Sequence, residues 1–377
     1  IGIGAERIET ACERVFNRKP VWARHDGQHR QMEMIETIPF DQICVPVTEL
    51  SQPAAGRPAA VPLAQDADLD EQTVGRLALV VTELATNLVK HARGGELLMR
   101  RFGAEGQEGI EVLSLDKGPG IPNVAQSLGD GYSTAGSPGT GLGAVLRRAD
   151  AFDLYSQLEK GTAVVARVFS QRRTGSPHAQ SIGVVRQAKS GEAVCGDSWI
   201  VRWFADGWVC AVADGLGHGV IASDAATAII DAVRRAPDRL SPVEIVEAAH
   251  QAAKPTRGAA FGVAVLDEAV GVVRFAGVGN VAALVVNGAE RRHLVSHSGI
   301  IGHEYRKLSE FSHPWQTQSV LILHSDGIAT HWDLERYPGL LSRDPSLLAG
   351  VLYRDFTRGR DDSTVVVLKQ RSTDGLP

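Results

Sequence analysis

Cysteine is scarce: the chain has four in 377 residues (Cys12, Cys44, Cys195 and Cys210) and no Cys-x-x-Cys pair. That excludes a disulfide framework and a thiolate zinc site, and it reads as reduced, cytosolic thiols. No apolar run approaches the ~20 residues that span a bilayer. The first ten residues carry Glu6 and Glu9 and no long apolar core, unlike a secretory signal. Neither sign of charge is in large excess, with 39 basic against 44 acidic residues and a net charge of −5. There is thus no electrostatic case for nucleic acid or an anionic membrane as partner. What is present, 44% hydrophobic and 22% charged residues, is the composition of a globular chain. Its length exceeds one ordinary core, so two domains are expected in a soluble, cytoplasmic protein.

Residues 1–37 are polar and read as an N-terminal arm without assigned function. Met32 and Met34 stand just before the first clear strand pattern, Ile38–Val47. Pro58 and Pro62 should interrupt any helix between Pro53 and Leu69. Asp70 then reads as the N-cap of a long helix whose apolar residues Leu77, Val80, Val81, Leu84 and Leu88 recur at helical spacing. On another face Glu83, Asn87 and His91 follow one another at four-residue intervals and form one column. Gly94-Gly95 ends the helix. Strand patterns at Glu96–Arg101 and Ile110–Leu115 lead into Asp116-Lys117-Gly118-Pro119-Gly120. Gly139-Thr140-Gly141-Leu142-Gly143 opens a further helix, and such a loop sets bare N–H groups and a helix N-terminus beside a phosphate. Asp153–Gln157 and Thr162–Phe169 close the domain as two strands.

This ordered set, Glu-x-x-x-Asn on a helix, Asp-x-Gly-x-Gly after a strand and Gly-x-Gly-x-Gly before a helix, resembles the GHKL ATP-binding fold. Within it, Thr82–Ala92 is most similar to the anti-sigma-factor serine kinases of the RsbT and SpoIIAB type. The resemblance implies that Asn87 binds Mg²⁺ beside the phosphates of ATP and that Asp116 accepts from the adenine amino group. Gly118 and Gly120 would let the backbone pass the base, and Gly139, Gly141 and Gly143 would line the phosphates. Glu83 would orient or deprotonate the attacking serine hydroxyl. Kinases of this type pair, which leaves a homodimer through this domain open.

Residues 171–179, polar with Gly and Pro, read as the linker between domains at 38–170 and 180–372. After it, Asp197 stands at a strand start. The apolar strand Trp208–Val212 runs into Ala213-Asp214-Gly215-Leu216-Gly217-His218-Gly219. Ile221–Arg235 and Pro242–Ala253 read as helices, the second with Ser241 as N-cap and Pro242 at its first position. Strands recur at Phe261–Leu266, Val272–Gly277 and Ala282–Val286. The strand from Val320 ends on Ser325-Asp326-Gly327, and Asp361-Asp362-Ser363-Thr364 precedes a last one, Val365–Lys369. Each Asp alone is an ordinary turn former. Jointly, Asp197, Asp214, Asp326 and Asp361 or Asp362 suit a binuclear site for hard cations, with no His or Cys set that favours zinc.

The pattern Gly-Asp, Ala-Asp-Gly-x-Gly-His-Gly, Ser-Asp-Gly and Arg-Asp-Asp-x-Thr resembles the metal-dependent PPM phosphatases, on their SpoIIE and RsbX branch. The resemblance implies that Asp214 bridges two Mn²⁺ or Mg²⁺ ions and that the Gly215 carbonyl is a ligand. Asp197 would serve one ion, Asp326 and Asp361 the other, while Asp362 braces the turn. His218 is a candidate to protonate the leaving serine, or a residue that shapes the loop. The fold expected is α+β in two domains: a GHKL α/β sandwich, a mixed sheet covered by helices, followed by a PPM αββα sandwich. The expected function is that of an ATP-dependent protein-serine kinase fused to a phosphoserine-protein phosphatase. Both would act on a STAS-domain partner in stress signalling. The alternative is a phosphatase gated by a nucleotide-binding, partner-sequestering module that does not transfer phosphate.

Overall fold

In a computed structural model of the chain, residues 36–37, 42–48, 53–104, 107–128, 141–170 and 182–369 are described. The expected linker 171–179, Gly139, most of the N-terminal arm and the first four residues of the strand expected from Ile38 lie outside them. Among the described residues there are sixteen strands in three sheets, every pair antiparallel, and seven α-helices.

The N-terminal sheet has the order β2-β3-β4-β6-β5, formed by β2 (Ile43–Val47), β3 (Gly95–Ala104), β4 (Gln107–Leu115), β5 (Ala151–Gln157) and β6 (Gly161–Phe169). One face carries α1 (Pro53–Asp66), α2 (Glu71–Ala92) and α4 (Leu142–Arg148); the short α3 (Val124–Leu128) packs beside α4. The expected cap of α2 is present: Asp70 Oδ1 accepts from Thr73 N at 2.8 Å. Leu77, Val80, Val81, Leu84 and Leu88 are all buried, as their spacing demands.

The prolines behave differently from expectation, because α1 runs through both Pro58 and Pro62. They are four residues apart and both exposed, so the two rings face water on one side of the helix. The opposite side buries Ala60, Leu63, Ala64 and Ala67 against α2 and the sheet. Tertiary packing outweighs the two missing hydrogen bonds.

The C-terminal half is a sandwich of two sheets. One, β1-β8-β9-β10-β11-β14, contains β1 (Glu36–Thr37), β8 (Asp197–Phe204), β9 (Gly207–Gly215), β10 (Ala259–Asp267), β11 (Val272–Val278) and β14 (Phe311–Pro314). The other, β13-β12-β15-β16-β7, contains β7 (Ile182–Gln187), β12 (Ala282–Asn287), β13 (Glu290–Leu294), β15 (Val320–His324) and β16 (Ser363–Lys369). Their inner faces meet through Trp199, Val212, Phe275, Leu323 and Val366. Outside the first sheet lie α5 (Val220–Arg235) and α6 (Pro242–Ala253). The predicted capping box of α6, Ser241 with Glu244, is formed. This is the two-domain α+β architecture expected.

The helix outside the second sheet, α7 (Pro345–Phe356), has no counterpart in the sequence reading. It lies between that sheet and the free face of the N-terminal sheet. Leu98, Leu113 and Val165 press on it from one side, and Val185, Ile322 and Val367 from the other. Gly350 makes the approach possible, since a Cβ there would sit 2.8 Å from the Leu113 side chain. The layer order is therefore helix, sheet, sheet, shared helix, sheet, helix.

Polar anchors fix both ends of α7. At its start Asp344, the N-cap, takes both Arg167 Nη atoms (2.6 and 2.8 Å). Arg167 Nε and Arg100 Nε each donate to Glu111 at 2.8 Å, and the Ser346 hydroxyl donates to Glu111 as well. At its end Arg354 Nη1 donates to the Asp116 carbonyl at 2.8 Å. Burial pushes the Glu111 carboxyl up, yet the Arg100 and Arg167 guanidinium groups outweigh it and hold the acid down at about 2. A carboxyl lowered by folding stabilises above its ordinary pKa, near 4.5, and loses that contribution as pH falls towards 2. Glu111→Gln leaves buried Arg100 without its anion and Arg167 with Asp344 alone, at a cost of about 3–5 kcal/mol. Urea denaturation should report that loss at pH 7, and a shallower fall in stability from pH 4.5 to 2 than in the unsubstituted protein.

Candidate active sites

The first site is a cavity of about 270 Å³ bounded by α2, the β4 end and the segment after it. Glu83, Asn87 and His91, predicted to form a column on α2, all line it, with Asp116, Gly120 and Gly141. Asp116 leaves β4 with Oδ1 held by the Gly118 and Thr162 N–H groups, at 2.7 and 3.1 Å. Burial raises its carboxyl above the ordinary value. Oδ2 has no protein donor among the described residues, so it can accept from a ligand. Asn87 Nδ2 is buried without a hydrogen-bond partner. An orphaned donor beside such an acceptor fits a polar ligand with an exocyclic amine and oxygen-rich groups, as a nucleotide has. Gly120 adopts φ +76°, and a Cβ there would meet Gln157 O at 2.4 Å. That backbone demand explains the glycine independently of any ligand. Gly143 is the second residue of α4, its absent Cβ 3.0 Å from Leu128 O, which is a packing position. Gly118 sits against Ala92 in the same way.

The second site is built where strand ends converge in the sandwich. β8 and β9 pair Asp197 directly with Asp214. Asp214 accepts from Asp326 N, just past β15, and feels the charges of Asp197, Asp326 and Asp361. Asp197 is fully buried; its Oδ2 accepts from Ser325 Oγ at 2.6 Å and its Oδ1 has no partner. Asp362, the alternative to Asp361, accepts from Lys189 N at 2.8 Å and so ties down the loop before β8. Burial, followed by repulsion from its neighbours, pushes Asp214 up to about 9. Burial likewise pushes Asp197 up to about 7, against its hydrogen bond from Ser325. A carboxylate set this repulsive, with one orphaned oxygen at its centre, fits cations of hard character. Among the described residues no three acidic, His or Cys side chains already converge as a formed coordination shell. The fit rests on charge and on the unpaired Asp197 oxygen.

Gly215 closes β9, donating to Gly196 O at 3.3 Å. His218 lies beyond it, exposed, with Nδ1 2.6 Å from Glu192 Oε1. The sequence reading missed three residues of this site. Ser325 holds Asp197 and also receives Thr364 N; its place beside Asp326 was the available signal. Asn280 donates to Asp326 Oδ2 at 2.6 Å. Glu192 had no signal, since only folding brings it to His218.

Residues 48–168 match the family described as histidine kinase-like ATPase domain, and residues 205–371 the family described as stage II sporulation protein E (SpoIIE). The serine/threonine-protein kinase RsbT of Bacillus subtilis is 31% identical over 126 residues, 33% of this chain and 95% of its own length. The chain joins an RsbT-family, histidine kinase-like ATPase domain to a SpoIIE-family PPM phosphatase domain. The phosphoserine phosphatase RsbX of Bacillus subtilis is 29% identical over 152 residues, 40% of this chain and 75% of its own length. A crystal structure of RsbX in complex with magnesium is 26% identical and covers 49% of this chain and 92% of that one, at a TM-score of 0.43. The SpoIIE match begins at residue 205, downstream of β8, so Asp197 lies outside it and meets Asp214 through strand pairing. Among the described residues no helix is long and apolar enough to cross a membrane.

The carboxylate repulsion gives the PPM site a measurable signature. A carboxyl raised by folding keeps its proton in the native state while the unfolded chain loses it, so stability falls from about pH 4 to pH 9. In chelator, Asp214→Asn should therefore melt several degrees above the unsubstituted protein at pH 8 and near it at pH 4. Added Mg²⁺ or Mn²⁺ should raise the melting temperature of the unsubstituted protein and much less that of the variant.

Proposed function

We propose that this chain is a bifunctional regulator of a partner protein's serine. Its RsbT-like half transfers phosphate from ATP, and its SpoIIE-like half removes it. The observation that carries the first activity is Glu83 in the same cavity as Asn87 and Asp116. A module that only sensed nucleotide would need the latter two and not the acid. Asp116 Oδ2 would receive the adenine amine and Asn87 would hold Mg²⁺ beside the phosphates, with Gly141 at the cavity wall next to them. Glu83 accepts from the attacking serine hydroxyl and so orients it. In the second half Asp197, Asp214, Asp326, Asp361 and the Gly215 carbonyl would hold two divalent cations. Such cations would supply charge neutralisation at the phosphoryl group and a water activated near neutral pH. Asp362 and Ser325 keep the ligands in place. The relatives support a small STAS-domain protein as substrate, in partner-switching signalling in the cytoplasm.

The experiment combines γ-labelled ATP, Mg²⁺ or Mn²⁺ and a candidate STAS protein. Asp214→Ala should accumulate phosphoprotein and Glu83→Ala should form none. Phosphorylation by Glu83→Ala at the unsubstituted rate would remove the kinase from the proposal.

A second reading, nucleotide gating of the phosphatase, draws on α7. Arg354 bonds the carbonyl of Asp116, and four residues on Arg358 N bonds Gly327 O, next to Asp326, at 2.8 Å. The last turn of α7 and the segment just after it thus touch both sites. If they couple them, ADP or ATP should change phosphatase kcat/KM and shift Mn²⁺ affinity by about 5-fold or more, and Mn²⁺ should shift nucleotide affinity by the same factor as nucleotide shifts Mn²⁺ affinity. Arg354→Leu should abolish these effects while each half retains its own activity.

A further inference from the structure

Asp197 and Asp214 face each other at the end of the β8–β9 ladder. The chain enters that ladder through a loop carrying Glu192, five residues before Asp197. It leaves through a loop carrying His218, four residues after Asp214. These loops lie side by side beyond the carboxylate pair, and there Glu192 Oε1 meets His218 Nδ1 at 2.6 Å. The contact is built into the backbone. Gly219, the residue after the histidine, has φ +74°, and a Cβ on it would sit 2.9 Å from the other Glu192 oxygen. A side chain there would be strained and would displace the carboxylate. The other charged group at this loop is Arg257, whose Nη1 reaches the Leu216 carbonyl at 3.5 Å, on the side of Gly217.

We infer that Glu192 is a positioning residue that orients His218 as the general acid of phosphoserine hydrolysis. The inference rests on the phosphatase reading above. An imidazole held through Nδ1–H by a carboxylate presents Nε2 outward, in one tautomer and one ring orientation. His218 Nε2 has no protein partner among the described residues, and the ring is 44% exposed, so a substrate can reach it. In the reaction a water oxygen bonds to phosphorus while the bond from phosphorus to the serine Oγ breaks. The protonated imidazole gives its Nε2 proton to that Oγ, so a neutral serine leaves instead of an alkoxide. The ring, now neutral, keeps Nδ1–H on Glu192 and regains its proton from solvent in the next turnover. This assignment gives His218 chemistry as well as a place in the loop, and gives Glu192 a role that no motif suggested.

A leaving group that needs no proton separates this role from a structural one. On a phosphoserine protein or peptide, His218→Ala should lower kcat about 10²-fold or more, the range of general-acid catalysis. Glu192→Ala should lower kcat about 10-fold with KM little changed, and Glu192→Asp should restore part of it. On p-nitrophenyl phosphate, whose leaving anion is stable unprotonated, all three should stay within about 3-fold of the unsubstituted protein. The Glu192→Ala/His218→Ala double variant should be no worse than His218→Ala alone. Independently of turnover, nitrogen-15 NMR of the imidazole should report Nδ1–H for His218 and a loss of that preference in Glu192→Ala. An equal loss on both substrates, additive losses in the double variant, or an unchanged tautomer overturns the assignment. In that case Asp214→Asn still abolishes both hydrolyses and the phosphatase reading stands. If the unsubstituted protein with Mn²⁺ hydrolyses neither substrate, that reading falls and this one with it.

Discussion

The architecture depends on one buried ionic cluster. Glu111 sits between Arg100 and Arg167 in the middle of the N-terminal sheet, and Arg167 reaches across to Asp344 at the head of α7. Charges this deep are tolerated only when fully paired, so the cluster admits essentially one placement of α7 on the sheet. Once Asp344 is fixed, the rest of the helix lies between two apolar sheet faces and its last turn arrives at Asp116. The cluster does not make the interface strong, since apolar burial does that. It makes the interface unique, because a shifted helix would leave at least one charge unpaired.

Most elements of the C-terminal half were legible in the sequence because their strands alternate with clear turn signals and their helices carry caps. The α6 limits fall on the expected residues. The failures share a cause: information carried by the far side of an element. Helix α7 buries residues on more than one face, Leu347, Leu348, Val351 and Leu352 among them, because it is packed between two sheets. Helix α1 was expected to break at its prolines, yet both point to water. In each case the environment that decides the outcome is supplied by distant residues. The same division holds at the sites. The sequence singled out Asp197, Asp214 and Asp326 because each stands at one end of a strand in a recognisable motif. Ser325, Asn280 and Glu192 act by touching those residues or their loop, and contacts across 26 to 128 positions leave no local pattern.

The two sites contrast in how they hold polar groups ready. In the N-terminal cavity a donor and an acceptor are each left single. In the C-terminal site carboxylates are crowded until burial and mutual repulsion raise their affinity for protons far above normal. Both arrangements cost stability as they stand. Functional sites are where such local conflicts are expected to survive.

The shared helical layer has a consequence for regulation as a whole. Because both halves belong to one chain and α7 packs against each, they are present in equal number and in one body. If both act on the same serine as proposed, doubling the amount of protein doubles the rates of writing and erasing together. The steady phosphorylated fraction of the partner is then independent of how much of this protein a cell contains. It responds only to what alters one turnover relative to the other, such as ATP supply or metal occupancy.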